Sequence, residues 1–402
     1  MSVFGFGYNG FRQICQDDCF LKNLPVFTGL LFNTSNTKLA LSWSTSFAVT
    51  EEEDVSVWGW TNDGSKSKSW ISKLVVPGYG HCRWTDATCP CGSGGMEKLV
   101  LYSRKDKLLL WLTECDAESK VCGSSNRLVG KVDLSPAAEI CSIACNREQI
   151  WASDGNGAVF TSCFSPVSVT SKIAEETNDN SQIVSSTVKP VSLQRLVSFS
   201  HRVVQVACGI DHTILLTATG VVYSCGIGSR GQLGLGDIKT HTTPQVIDLL
   251  GGINVIRIST GGWHSLALTD LGSVYSWGWN SSGQLGVSGD GKEDSNDSIG
   301  KFGAFPEMVD FPLECDIVQL ACGSRHSAAV TRDGLLFTWG WGAYGQLGHG
   351  DTSNKICPTI VQKLKDDGLF VASVCCGSWH TLTITKNLGH GCSSADSTSL
   401  DL

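Results

Sequence analysis

The sequence predicts one fold class: all-β, a seven-bladed β-propeller. Three observations carry it. The composition is rich in glycine and poor in charge, a polar signature returns at near-constant spacing, and the last unit lacks a strand that the amino terminus supplies. Glycine is 45 of 402 residues, about 11% against a usual ~7%, and charged residues are 17% against ~25%. With 13 Trp, those values describe turn-rich strands and exclude collagen, coiled coils and helical solenoids. Apolar residues at 41% suffice for a sizeable core, which excludes global disorder. The length exceeds the ~100–200 residues of an ordinary compact domain, so the chain holds either two or three domains or one large array.

Self-similarity decides between those. Four segments share one pattern: ACGIDHTILLTATGVVYSCG from Ala207, TGGWHSLALTDLGSVYSWG from Thr260, ACGSRHSAAVTRDGLLFTWG from Ala321 and CCGSWHTLTIT from Cys375. The first three run on into Gly-Gln-Leu-Gly, from Gly231, Gly283 and Gly345. His212, His264, His326 and His380 step by 52, 62 and 54 residues, and the Gly-Gln-Leu-Gly marks by the same 52 and 62. The longer step contains DGKEDSNDS from Asp290, a polar acidic insertion.

Towards the amino terminus the pattern is worn. Trp58 follows Thr45 by 13 residues, as Trp339 follows His326, and Trp111 follows Lys98 by 13. Phe160 follows Gln149 by 11, as Tyr223 follows His212. Marks at 45, 98, 149, 212, 264, 326 and 380 then divide the chain into seven units. Runs such as Val-Val-Tyr-Ser-Cys and Leu-Leu-Phe-Thr-Trp alternate at strand period. Four short strands in about 50 residues make a propeller blade. Gly209, Gly261, Gly323 and Gly377 precede each His by three, where only glycine permits a tight turn and close approach at a crowded axis.

The last unit stops after CGSWHTLTITKNLG, one hairpin short. FGFGYNGF from Phe4 matches WGWGAYGQ from Trp339 position by position, with Phe for Trp. Closing the ring with this strand leaves no long sheet edge exposed. The expected organisation is one propeller over 1–390, with 3–11 completing the blade of 372–388 and degenerate blades over 43–163. Residues 165–190 and 288–302 are expected to be flexible insertions, and 391–402 a disordered tail.

These units resemble the repeats of the regulator of chromosome condensation family, densely across 203–388 and 3–11 and faintly across 43–163. The resemblance implies a seven-bladed propeller. It implies one of the family's activities: guanine-nucleotide exchange on a small nuclear GTPase, nucleosome docking or scaffolding. The runs from Trp277 and Trp339 are most similar to those of chromatin adaptors in the family, which are associated with a JmjC-type 2-oxoglutarate oxygenase and histone lysine 36 methylation.

Equivalent places on different blades keep His212, His264, His326 and His380 too far apart to share one ion, so they read as fold residues, each ring bonding a neighbouring carbonyl. The Cys at 208, 322 and 376 read as core thiols. The residues just before the four His are Asp211, Trp263, Arg325 and Trp379, on a turn at one mouth of the channel. Two readings stand for the Trp: packing between blades, or, with Asp211 and Arg325, a docking face of hot-spot composition. Plant ultraviolet receptors of this fold use Gly-Trp-Arg-His-Thr; here Trp263 and Trp379 run directly into His without that Arg. His81, Cys82, Cys89 and Cys91 lack the paired spacing of structural zinc, so no metal is expected. No phosphate-binding loop, nucleophile elbow or zinc-protease motif occurs, so neither cofactor nor catalysis is expected. Arg195 lies in an extended segment, where an oxygenase partner would find it.

Thirty basic against 38 acidic residues give a net charge of −8, which argues against direct DNA contact and towards a protein partner, with a basic one such as histone favoured. The first twenty residues lack a signal-peptide pattern and no run of 18 apolar residues occurs, so an intracellular setting, reduced thiols and no membrane contact are expected. The expected function is a non-catalytic, monomeric scaffold, nuclear by resemblance, binding a JmjC-type oxygenase and histones. The alternative is an exchange factor for a small GTPase.

Overall fold

The computed structural model describes residues 1–9, 14–15, 21–31, 37–42, 45–50, 54–59, 71–73, 83–89, 98–114, 127–133, 139–164, 191–196, 199–287 and 302–387. Their strands form seven sheets, antiparallel but for one added strand, taken here as blades one to seven, with strands counted from first to fourth across each sheet. Blade one is Lys38–Leu41, Thr45–Val49, Val55–Gly59 and Ile71–Lys73. Blade two is Asp86–Thr88, Lys98–Ser103, Leu108–Glu114 and Arg127–Asp133, with Val191–Ser192 added in parallel. Blade three is Ile140–Cys145, Gln149–Asp154, Val159–Cys163 and Gln194–Arg195. Blade four is Val203–Cys208, His212–Thr217, Val222–Gly226 and His241–Val246. Blade five is Val255–Thr260, His264–Thr269, Val274–Trp279 and Phe302–Met308. Blade six is Ile317–Cys322, His326–Thr331, Leu336–Gly340 and Lys355–Ile360.

Blade seven joins the two ends of the chain. Leu369–Cys376 and His380–Asn387 are its first two strands, and Ser2–Tyr8 and Leu21–Leu31 its last two. The amino terminus therefore supplies two strands where the sequence pattern pointed to one. The first strands touch in a closed circle, from Lys38–Leu41 through each blade to Leu369–Cys376 and back. Every sequence mark (Thr45, Lys98, Gln149, His212, His264, His326 and His380) is the first residue of its blade's second strand.

The register of the closing strand differs from the sequence match by two residues. Gly7 pairs with His380 as Gly340 pairs with His326, so Phe6, not Phe4, holds the place of Trp339. Phe-Gly-Phe-Gly is unchanged by a shift of two, and the strand period of two keeps the same side chains facing the core. Phe6, Trp277 and Trp339 are fully buried between sheets, each against a glycine of the preceding blade's Gly-Gln-Leu-Gly run (Gly348, Gly234 and Gly286).

The stretches 165–190, 288–301 and 388–402 lie outside the described residues, and Phe302 already belongs to a strand. Of the four residues weighed for zinc, only Cys89 is described, and the described residues hold no cluster of three or more metal-ligating side chains. No helix among them is long and apolar enough to cross a membrane.

Candidate functional site

The glycine and histidine of each regular blade form one unit. A Cβ on Gly261 would run into the His264 ring and the carbonyl of Gly323 in the next blade, and Gly209 and Gly323 stand in the same relation to their neighbours. Close approach, rather than a left-handed dihedral, requires glycine here. The ring does not bond a carbonyl as the sequence reading expected. His212 Nε2 meets Ser265 Oγ at 3.0 Å, His264 Nε2 meets Ser327 Oγ at 2.9 Å, and His326 Nε2 meets Thr381 Oγ1 at 2.9 Å. His380 Nε2 meets Ser46 Oγ at 3.2 Å, carrying the relay across the closure.

The hydroxyls set the direction of these bonds. Ser265, Ser327 and Thr381 donate to the carbonyls of Gln232, Gln284 and Gln346, so each oxygen is left to accept from a histidine N–H. That assigns the neutral Nε2–H tautomer and leaves Nδ1, buried without a partner among the described residues, as a bare lone pair. Burial holds all four imidazoles down at about 3, so they are uncharged at neutral pH. Trp277 and Trp339 donate their indole N–H to the same Gln232 and Gln284 carbonyls at 3.0 Å. The histidines thus tie blade to blade.

The thiols at 208 and 322 are buried, and Cys376 is half-buried. Burial pushes the Cys225 and Cys375 thiols up to about 12, which keeps them protonated and unreactive.

The turn before each histidine shares its mouth of the ring with the exit of the third strand. The carbonyls of Asp211, Trp263, Arg325 and Trp379 accept the N–H of Ile227, Trp279, Trp341 and Tyr8 at 2.8, 2.8, 2.9 and 2.9 Å. Two side chains per blade are therefore set side by side. From blade four to blade seven they stack. The Arg230 guanidinium lies 4.1 Å from the Trp263 ring centre and 4.7 Å from that of Trp279. Arg325 lies 4.7 Å from the same Trp279 ring and 5.6 Å from Trp341. Trp341 contacts Trp379 at 5.0 Å and Tyr344 at 5.1 Å, and Tyr344 contacts Tyr8 at 5.2 Å.

Three of the four sequence-predicted docking residues meet in this stack: Trp263, Arg325 and Trp379. Asp211 sits half-buried at the equivalent turn of blade four. Arg195 is exposed on the fourth strand of blade three, opposite Phe160, and is not brought to the mouth. Arg230, Trp279, Trp341, Tyr344 and Tyr8 were missed. For all but Tyr8 the signal was present: the second Trp of each Trp-Gly-Trp, and the residue before Gly-Gln-Leu-Gly. The Trp–Arg stacking that looked absent for want of a neighbouring Arg is built instead from Arg230 and Arg325.

Charge in the stack is one-sided. Among the described residues neither Arg230 nor Arg325 has a carboxylate within ion-pair distance. Burial, and secondarily the Arg230 charge, pull Arg325 below the usual guanidinium range. Each cation–aromatic contact contributes ~0.5–2 kcal/mol, which offsets the repulsion between the two. The Trp379 indole N–H is buried and has no partner among the described residues. The face offers broad rigid rings and two forked cations, residue types enriched in docking surfaces.

Comparison with known proteins agrees with this architecture. A model of the RCC1-like domain matches residues 87–390. RCC1 domain-containing protein 1 of Mus musculus is 39% identical over 206 residues, 45% of this chain and 55% of that protein. Ultraviolet-B receptor UVR8 of Arabidopsis thaliana is 38% identical over 198 residues, 49% of this chain and 42% of the receptor. The chain thus spans about half the length of the curated relatives it matches. The crystal structure of Prp20p from Saccharomyces cerevisiae superposes with a TM-score of 0.74 at 17% identity, covering 97% of this chain and 92% of that one, a likeness of fold. With well over half of its length under the family model, this chain belongs to the RCC1-like domain family.

Proposed function

We propose that this chain is a non-catalytic docking wheel that engages a protein partner through the Trp–Arg mouth of blades four to seven. One observation carries the reading: Arg230 and Arg325 are held over indole rings with no carboxylate partner among the described residues. A guanidinium serving only the fold is ordinarily paired, because a half-buried unpaired charge costs stability. The RCC1-like domain is in itself a non-catalytic unit.

The finer reading is a nuclear, chromatin-associated adaptor whose partners are a JmjC-type oxygenase and histones. Family membership supports it, together with the binding of Prp20p to Gsp1p and histones. The exposed Arg195 is then a side chain that such an oxygenase reaches; an unmodified Arg195 peptide after incubation with the enzyme removes that part. The second reading, an exchange factor for a small GTPase, draws on the same binding of Prp20p to Gsp1p.

Both are tested together. The immobilised chain is offered purified JmjC-type oxygenase, histone octamer and a nuclear GTPase loaded with fluorescent GDP. The adaptor reading expects capture of oxygenase or octamer, lost in Trp263→Ala and Arg325→Ala variants that keep the parent melting temperature, with GDP release unchanged. Accelerated release establishes the exchange reading, and capture indifferent to both substitutions removes the Trp–Arg mouth from the function.

A further inference from the structure

The stack discriminates between ligand chemistries. A trapped ammonium needs an open cage of rings. Here Trp341, Tyr344 and Trp379 stand 5.0–5.6 Å apart, edge to face, and fill one another's space. Arg325 lies 5.6 Å from the Trp341 ring and repels any second cation. A lysine-bearing segment is therefore the wrong occupant of this mouth.

Carboxylates are the right one. The two guanidinium groups share a single indole, Trp279, each 4.7 Å from its centre, so they stand no further apart than twice that distance. An extended peptide advances ~3.3 Å per residue, placing alternate side chains ~6.7 Å apart on one face. A guanidinium in contact with a ring can still offer its N–H fork to a carboxylate, which binds it through two parallel hydrogen bonds. The chain carries a net charge of −8, so long-range attraction does not bring an acidic segment in; recognition is confined to this face.

We infer that the Arg230–Trp279–Arg325 stack is the receptor for an acidic, extended segment of the partner protein, with carboxylates on alternate residues and one on each guanidinium. The inference rests on the docking role proposed above and names the chemistry of the partner. Binding neutralises two like charges that the fold holds close, which is its driving force. The indole they share fixes the spacing, so the order of acidic residues matters as well as their number.

The test uses the full chain and three fluorescein-labelled dodecapeptides, (Ser-Glu)6, (Ser-Gln)6 and (Ser-Lys)6, read by fluorescence anisotropy. Expected is binding of the Glu peptide, at least tenfold weaker binding of the Gln peptide and none of the Lys peptide. Arg230→Gln and Arg325→Gln each weaken the Glu peptide tenfold or more, whereas Arg257→Gln, which removes an exposed cation elsewhere, changes it less than twofold. Equal binding of Glu and Gln peptides, an equal loss in Arg257→Gln, or preference for Lys overturns the inference. So does a concentration-dependent dimer in sedimentation that Arg230→Gln abolishes, since the occupant is then a second copy. If peptide binding fails while Trp263→Ala still abolishes partner capture, the docking face stands and only its acidic ligand falls.

Discussion

Blades four to six and blades one to three share a ring but are joined by different chemistry. In the first group a polar relay repeats at every seam: histidine to hydroxyl to the glutamine carbonyl, with His212, His264 and His326 reaching into the next blade. In the second group the same position is Thr45, Lys98 or Gln149. There the described seams are held by apolar packing, such as Phe47, Val57, Trp84, Leu101 and Leu110 between blades one and two. Single hydrogen bonds supplement it: the Ile140 N–H to Tyr102 Oη at 3.1 Å, and the Val206 N–H to Ser142 Oγ at 3.1 Å. A geometry-bound relay tolerates few residue types; packed apolar volume tolerates many. The regular blades stay recognisable for that reason, and the worn ones keep the fold without the signature.

The largest effect belongs to the seam where the two groups meet. Removing residues 1–9 deletes the strand between His380–Asn387 and Leu21–Leu31, together with the buried Phe6. Loss of the cooperative melt followed by circular dichroism is expected; an unchanged melt would show that the ring closes without it.

Acid comes next, because it strikes only the histidine-bearing blades. Four imidazoles have folded values near 3 against 6.5 unfolded, so unfolding takes up protons between those limits. Their contribution is fully present above pH 6.5 and declines as pH falls towards 3. At ~1.4 kcal/mol per group per pH unit, the slope reaches about 5 kcal/mol per unit. Denaturant titrations from pH 7 to 4 read it, and His264→Gln is expected to flatten it by about a quarter.

Single substitutions sharpen the contrast. His264→Ala opens a cavity and takes from the Ser327 oxygen the N–H it accepts, at a cost of about 2–4 kcal/mol, whereas Gln149→Ala at the corresponding mark of blade three costs about 0.5–1 kcal/mol. Equal costs in urea titrations would erase the distinction between relay and packing. Ser142→Ala is expected to cost a similarly small amount, about 1 kcal/mol, for the Val206 N–H left without its acceptor.

The ring was legible because His, Gly and Gly-Gln-Leu-Gly mark positions of fixed geometry. The register of the closing strand was not, since Phe4-Gly5-Phe6-Gly7 looks the same after a slip of two. The fourth strand of blade seven, Leu21–Leu31, escaped because it carries none of the marked residues. At the mouth, Trp263, Arg325 and Trp379 were found through their histidine neighbours. Arg230 and Trp279 come from neighbouring blades and meet only once those blades pack, a proximity that no local spacing encodes.

The relay maintains the fold, and the proposed role of the Trp–Arg mouth is binding alone. The melting temperature of an Arg230→Gln, Arg325→Gln double variant tests it most directly. Because that change removes two mutually repelling, unpaired charges, the temperature is expected to equal or exceed the parent's. A fall as large as that caused by His264→Ala would make the stack part of the scaffold and contradict the account.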